Sequence, residues 1–236
     1  MLLRRISKHV KDQNWFAVAL DFVIVVMGIL IAFQITNWNE TRQSYVAERA
    51  LIERLTTEFS TLENVLEQRL ERGEQLVSST AELITLIRKD VEPQDDEAVR
   101  ALLRQASRYS ARVAPPTSFS DALQSGRVSS LRDETLRDTL NTYVISTDWW
   151  ATVKGPAEPQ VDANSKLNEA TTWSVHRGLD EALHRKVIEY DWMRVIEAER
   201  ELVVIYRNQA LQAEGYRLEL IEVGNVLTAL SDAAPN

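Results

Sequence analysis

The chain has 236 residues, 44% hydrophobic and 26% charged, which describes a folded protein of one ordinary domain plus an appendage and excludes a disordered chain. Its formal charge of -8 is uneven: residues 1–14 carry Arg4, Arg5, Lys8 and Lys11 against Asp12 alone, leaving +3 there and -11 elsewhere, an acidity that argues against a nucleic-acid surface. The absence of cysteine excludes disulfides, thiol catalysis and Cys-ligated zinc, and seven glycines with six prolines suit long helices better than a turn-rich sandwich.

Residues 17–35 contain only Asp21 and Gln34 as polar positions, and Trp15 and Trp38 bracket the stretch as interfacial anchors would. At about 1.5 Å per residue, positions 15–38 span roughly 35 Å, enough to cross a hydrocarbon core of about 30 Å with some tilt. About a dozen Leu, Ile, Val and Phe side chains, at roughly -0.3 to -0.6 kcal/mol each, outweigh one off-centre Asp at about +3 kcal/mol. A transmembrane helix over 15–38 is therefore expected, with the lipid bilayer as its surroundings. The competing readings are a cleaved signal peptide and a buried soluble helix; Gln34-Ile35-Thr36 after Phe33 offers no small-x-small cleavage site. The basic tail on one side, against arginines each closely preceded by a glutamate on the other, predicts a cytoplasmic N-terminus. In a Gram-negative cell this means an inner-membrane protein whose residues 39–236 are periplasmic. No cytoplasmic output domain is expected in this chain, so it is not a complete sensor kinase or chemoreceptor.

On a helix, Asp21, Val25, Gly28 and Ala32 share one stripe, and Gly28-x-x-x-Ala32 is a small-xxx-small pair that allows close helix approach. The stripe reads as a helix-packing face, with Asp21 hydrogen-bonded within a homo-oligomer or paired with a base on another membrane protein. Two other roles stay open for the acid: reaching toward headgroup water, or coupling a proton in a force-transducing complex.

The stretch "IVVMGILIAFQITNWNE" resembles the N-terminal signature of the DUF6090-like family of uncharacterised bacterial membrane proteins, with its acid, Ile/Val-rich run with Gly, and N-W-N-E ending. A second stretch, "PPTSFSDALQSGRVSSLRDETLRDTLNTYV", is similar to the family's central pattern: a Thr/aromatic entry, a Leu, a Ser-Gly step and a Leu-rich helix ending in tyrosine. Asp21 departs from the Glu frequent in relatives, and the region after Tyr143 is longer and Trp-rich. The resemblance implies a single-pass, mainly helical envelope protein of unknown activity, and it supplies no catalytic residues.

Residues 45–87 hold a heptad. One set is Tyr45, Ile52, Phe59, Leu66, Gly73, Thr80 and Ile87; the other is Glu48, Leu55, Leu62, Arg69, Leu76 and Leu83. This predicts a long amphipathic helix over 39–90, weakest at Arg69 to Gly73. A C-terminal helix over 187–231 repeats Trp192, Tyr206, Ala213, Leu220 and Leu227, with Val195, Leu202, Tyr216, Val223 and Leu230 as companions. Antiparallel packing of the two helices within one chain is favoured over a coiled-coil homodimer through 45–87.

Between them, residues 91–186 are expected to form a middle helical subdomain. Asp95-Asp96-Glu97 opens a helix with Val99, Leu102, Leu103, Ala106 and Tyr109 on one face. Ser118 with Asp121 forms a candidate capping box, Gly126 closes that helix, and Asp133 caps the next, whose inward face is Leu136, Leu140, Tyr143 and Val144. Gly155-Pro156 breaks the chain and no strand-like alternation of useful length is present. A disordered tail is expected at 232–236. The fold class is all-α: a transmembrane helix followed by an extended antiparallel bundle with long coiled-coil-like helices.

Chemistry-bearing patterns are sparse. His176, Asp180 and His184 share a helical face, but eight residues put the histidines about 12 Å apart along an axis, too far for one ion, so a solvated face is the expected role. No metalloprotease, nucleophile-elbow or P-loop pattern occurs, so no enzyme, catalytic residue, metal or other cofactor is expected. Trp149, Trp150, Trp173 and Trp192 crowd into 44 residues; they either pack a bundle end or form a candidate partner or ligand surface, with Lys154, Arg177, Arg185 and Lys186 nearby. Two functions follow: a membrane-anchored scaffold that homo-oligomerises or docks another membrane or envelope protein, and a periplasmic ligand-sensing domain that signals through a separate output protein.

Overall fold

The computed structural model describes residues 15–89, 93–108, 113–154, 165–174 and 186–234. Among them are seven helices and one two-stranded sheet: α1 Trp15–Ile87, α2 Asp96–Ala106, α3 Thr117–Gln124, α4 Glu134–Lys154, α5 Lys166–Glu169, β1 Thr171–Trp173, β2 Val187–Tyr190, α6 Trp192–Glu197 and α7 Glu199–Ala233. The fold is mainly α-helical. The chain divides into two compact units, Met1–Leu51 and Ile52–Asn236, and α1 contributes to both.

In the first unit, α1 is a single helix from Trp15, and from Ala19 to Ala50 nearly every side chain is exposed, Phe22 at 68% and Phe33 at 69%. It is the one described helix long and apolar enough to cross a membrane, and none of its apolar window is buried. Each such Leu, Ile, Val or Phe left in water forfeits about 1.5–3 kcal/mol, so this surface requires an apolar medium or a partner.

In the second unit the seam of α1 is buried from Ile52 to Ile87. Ile52, Phe59, Leu66, Gly73, Thr80 and Ile87 form one row and Leu55, Leu62, Leu76 and Leu83 the other. Three expected members fall outside it, since Tyr45 is exposed and Glu48 and Arg69 are half-buried. The cover is α7, antiparallel within the same chain. Arg88 pairs with Glu199 at 2.8 Å, Thr80 with Gln209 at 2.7 Å, and Glu74 with Arg217 at 2.7 Å, so residue numbers fall on α1 as they rise on α7. Arg217 also pairs with Glu214; its hydrogen bond to Glu74 and the Glu214 charge raise the guanidinium pKa further above its usual range.

The α7 companion row of Leu202, Tyr216, Val223 and Leu230 is buried, but the other expected row is only partly so. Ala213 is buried, Tyr206 is exposed, and Leu220 and Leu227 are half-buried, while Ile205, Val226 and Ala229 take inward places. A straight helix drifts against a strict seven-residue repeat, which moves the buried stripe by one position. The long C-terminal helix also begins at Glu199, not at 187, because Val187–Tyr190 is a strand and Asp191 caps the short α6 through its bond from the Arg194 amide. It runs to Ala233, into the stretch expected to be a disordered tail.

Strands β1 and β2 pair antiparallel, with Thr171 opposite Tyr190. This small sheet was not expected. Three- and four-residue runs (Thr-Thr-Trp and Val-Ile-Glu-Tyr) have β-branched and aromatic composition but are too short to show a period of two. Around it, Leu83, Ile84 and Ile87 of α1, Val99, Leu102, Leu103 and Ala106 of α2, Leu167 of α5 and Leu202 with Ile205 of α7 form one core. The α2 start is as expected, with Asp95 accepting from the Glu97 and Ala98 amides; Tyr109 lies outside the described residues.

Candidate functional site

The stripe Asp21, Val25, Gly28 and Ala32 is exposed along α1, and a Cβ built on Gly28 meets nothing within 4 Å. Eighteen residues, five helical turns, separate each of these from Asn39, Gln43, Val46 and Ala50, which therefore occupy the same helical face. That second set is exposed as well, so the face runs unbroken from the apolar stretch into the polar segment. Thr36 and Thr41 turn their hydroxyls back onto the Ala32 and Asn37 carbonyls at 3.0 and 2.8 Å. Such a back-bond satisfies a hydroxyl donor inside an apolar environment. Trp38, an expected anchor, is 66% exposed; the Trp15 side chain lies outside the described residues.

The second unit is organised on α1 by a polar cap and an aromatic cluster. Phe59, Phe119 and Tyr143, one from each of α1, α3 and α4, meet edge to face with centroids 5.3–5.6 Å apart. Beside them Glu58 accepts from the Ser118 amide at 2.9 Å and the Ser118 hydroxyl at 2.6 Å. This is the N-terminal capping of α3, delivered from another helix. The expected Ser118/Asp121 capping box does not form: Pro116 occupies the cap position, and Ser118 is already inside the helix. Gly126 closes α3 in the left-handed region at φ 74°, and Asp133 accepts from the Leu136 amide at 2.8 Å at the start of α4, both as expected. Of the α4 inward face, Leu136, Leu140 and Tyr143 are buried and Val144 half-buried.

A family model described as "Family of unknown function (DUF6090)" matches residues 21–151. The chain belongs to the DUF6090 family. No curated protein and no solved structure matches it.

The DUF6090 match begins at Asp21 and takes in the α1 face, the Glu58–Ser118 cap and all three aromatic rings. Helix α7, which covers the α1 seam, lies beyond it. The tryptophans divide. Trp192 is 6% exposed, stands edge to face with Tyr190 at 6.4 Å and belongs to the core, so it is withdrawn from the candidate partner surface. Trp173 is half-buried against the same core and donates from Nε1 to the Thr171 hydroxyl at 3.0 Å. Trp149 and Trp150 are in α4, with side chains outside the described residues, as is that of Lys154. His176, Asp180, His184, Arg177 and Arg185 also lie outside them; Lys186 is exposed. Among the described residues no cluster of three His, Cys, Asp or Glu is placed to hold a metal.

A groove of about 610 Å³ between α4 and α7 is lined by Ile145, Thr147, Leu218, Ile221, Glu219 and Glu222, with Ile145 70% and Ile221 55% exposed. Sequence reasoning missed it, because each contributing residue reads as an ordinary surface position on its own helix. It missed Gln209 too, although the seven-residue interval from Leu202 to Tyr216 falls on that residue.

Proposed function

We propose that this DUF6090 protein is a helical scaffold anchored in the bacterial inner membrane, working through protein contacts and without catalysis. Its N-terminal tail is cytoplasmic and its helical domain periplasmic, and it homo-oligomerises or docks an envelope partner through the face of Asp21, Val25, Gly28 and Ala32. The observation that supports this most is the exposure of that whole face within an apolar helix. A carboxylate among lipid tails is stable only against a donor, water or its own proton, and small residues allow a second helix near enough to supply one. Crosslinking in intact membranes tests the reading. Wild type should give a defined oligomer or a stoichiometric partner, and Asp21→Leu or Gly28→Leu should lose it; an unchanged product with both variants contradicts the interface.

The groove between α4 and α7 favours a second reading, a ligand-sensing domain that signals through a separate output protein. Its volume falls in the range of small-molecule sites, and its apolar lining with Glu219 and Glu222 suits an apolar, cationic compound. A thermal-shift screen with cationic amphiphiles should give a hit abolished by Ile221→Lys; no shift with any of them removes this reading.

A further inference from the structure

We propose that Thr80 and Gln209 form a register lock, which holds α1 and α7 at one axial position so that the two helices move as one body. Thr80 is fully buried and Gln209 2% exposed, each at a core position where the neighbours along the seam are apolar. The Thr80 hydroxyl donates to Gln209 Oε1 at 2.7 Å. The amide nitrogen of Gln209 donates in turn to the Arg108 carbonyl at 3.0 Å and the Gln105 carbonyl at 3.5 Å, acceptors at the C-terminal end of α2. One side chain thus ties three helices, and every strong hydrogen-bonding atom of the amide has a partner.

This arrangement tolerates one register. If α7 moved by one turn, Thr80 would face Ile205 or Ala213, and Gln209 would face Leu76 or Ile84, all buried and apolar. A hydroxyl and an amide would then be buried without partners, a penalty that exceeds the gain from a satisfied bond. The α2 carbonyls would lose their donor as well. A polar residue at a single seam position is the best-attested way to specify register in helix pairs. Helices that signal by sliding need two registers close in free energy, and this layer removes the second. The inference does not depend on the membrane reading, so either can fail alone.

The chain has no cysteine, so engineered pairs in the full-length protein report register without background. Gly73→Cys with Ala213→Cys, where the Cβ positions stand 3.3 Å apart, reports the observed register, and Gly73→Cys with Arg217→Cys a slip of one turn. With the native seam, the first pair should form a disulfide at least about ten-fold faster than the second, because the bond requires close Cβ atoms. Equal rates overturn the lock. Adding Thr80→Val and Gln209→Leu together should raise the slipped product several-fold relative to the native one; an unchanged ratio overturns it. Thr80→Val alone should lower the folding equilibrium about ten-fold, with Gln209→Leu restoring part of that loss, since the α2 carbonyls still lack their donor, and Thr80→Ser matching wild type. A harmless Thr80→Val contradicts the proposal. Should the double variant not fold, the native-seam ratio and the Ser/Val contrast still decide.

Discussion

Gly73 of α1 lies so close to Ala213 of α7 that a Cβ built on it would stand 3.3 Å from the Ala213 Cβ. The position that breaks the heptad as a sequence is thus a point of close approach between the two helices. Gly73→Leu should destabilise the protein by roughly 1–3 kcal/mol through overpacking. Gly73→Ala should change it by less than about 1 kcal/mol, because the gain in helix propensity offsets a contact only slightly too tight. Denaturant unfolding of the detergent-solubilised chain, followed by circular dichroism, separates the two.

Phe59, Phe119 and Tyr143 carry the junction of α1, α3 and α4. Phe59→Ala should cost about 3–5 kcal/mol, the usual range for emptying a fully buried ring position. Tyr143→Phe keeps the ring and loses only the hydroxyl, so its cost should stay well below that of Phe59→Ala, at about 0.5–1.5 kcal/mol. Equal losses in the two variants, read as shifts in unfolding midpoint at constant slope, would contradict a packing role for the cluster.

Glu58 stands in for the cap that α3 lacks. Glu58→Ala should cost about 1–2 kcal/mol and Glu58→Gln about half of that, since the amide oxygen still accepts one of the two bonds. Hydrogen exchange gives the local readout: the amides of 118–120 should lose protection first in Glu58→Ala, and loss spread evenly over the chain would speak against it.

The Arg217 pairs are exposed, and salt screens them. The guanidinium pKa is raised, so any stability it adds is fully present at ordinary pH and is lost as pH rises through that raised value. Arg217→Met should therefore leave the pH dependence of stability flat between about pH 7 and 10 relative to wild type. A change of slope in that window would mean that another titrating group depends on Arg217.

The long helices were legible because their seams repeat. The row from Ile52 to Ile87 could be placed by counting sevens, as could Leu202, Tyr216, Val223 and Leu230. The acidic helix start at Asp95-Asp96-Glu97 and the cap at Asp133 were legible because both are local: Asp95 and Asp133 each accept from an amide three residues on. Contacts between distant residues left no such trace. Glu58 reaches Ser118 sixty positions away, and Thr80 reaches Gln209 across 129. A glutamine between two apolar companions was passed over as a gap in a hydrophobic row, when burial with a partner was what its position required. The sheet was hidden by its length. On α1, the Asp21 face could be drawn from spacing alone, and its continuation through Asn39, Gln43, Val46 and Ala50 follows from the same geometry once the helix is known not to break.

The central claim is that lipid surrounds the apolar part of α1 and that the helical domain emerges on the periplasmic side. Two paired reporters at the carboxyl end, one active only outside the cytoplasm and one fluorescent only within it, measure this directly alongside alkaline carbonate extraction of the membranes. The account predicts a carbonate-resistant protein with the outside reporter active and the fluorescent one dark. Release of the full-length chain by carbonate, or fluorescence from the carboxyl end, would contradict it.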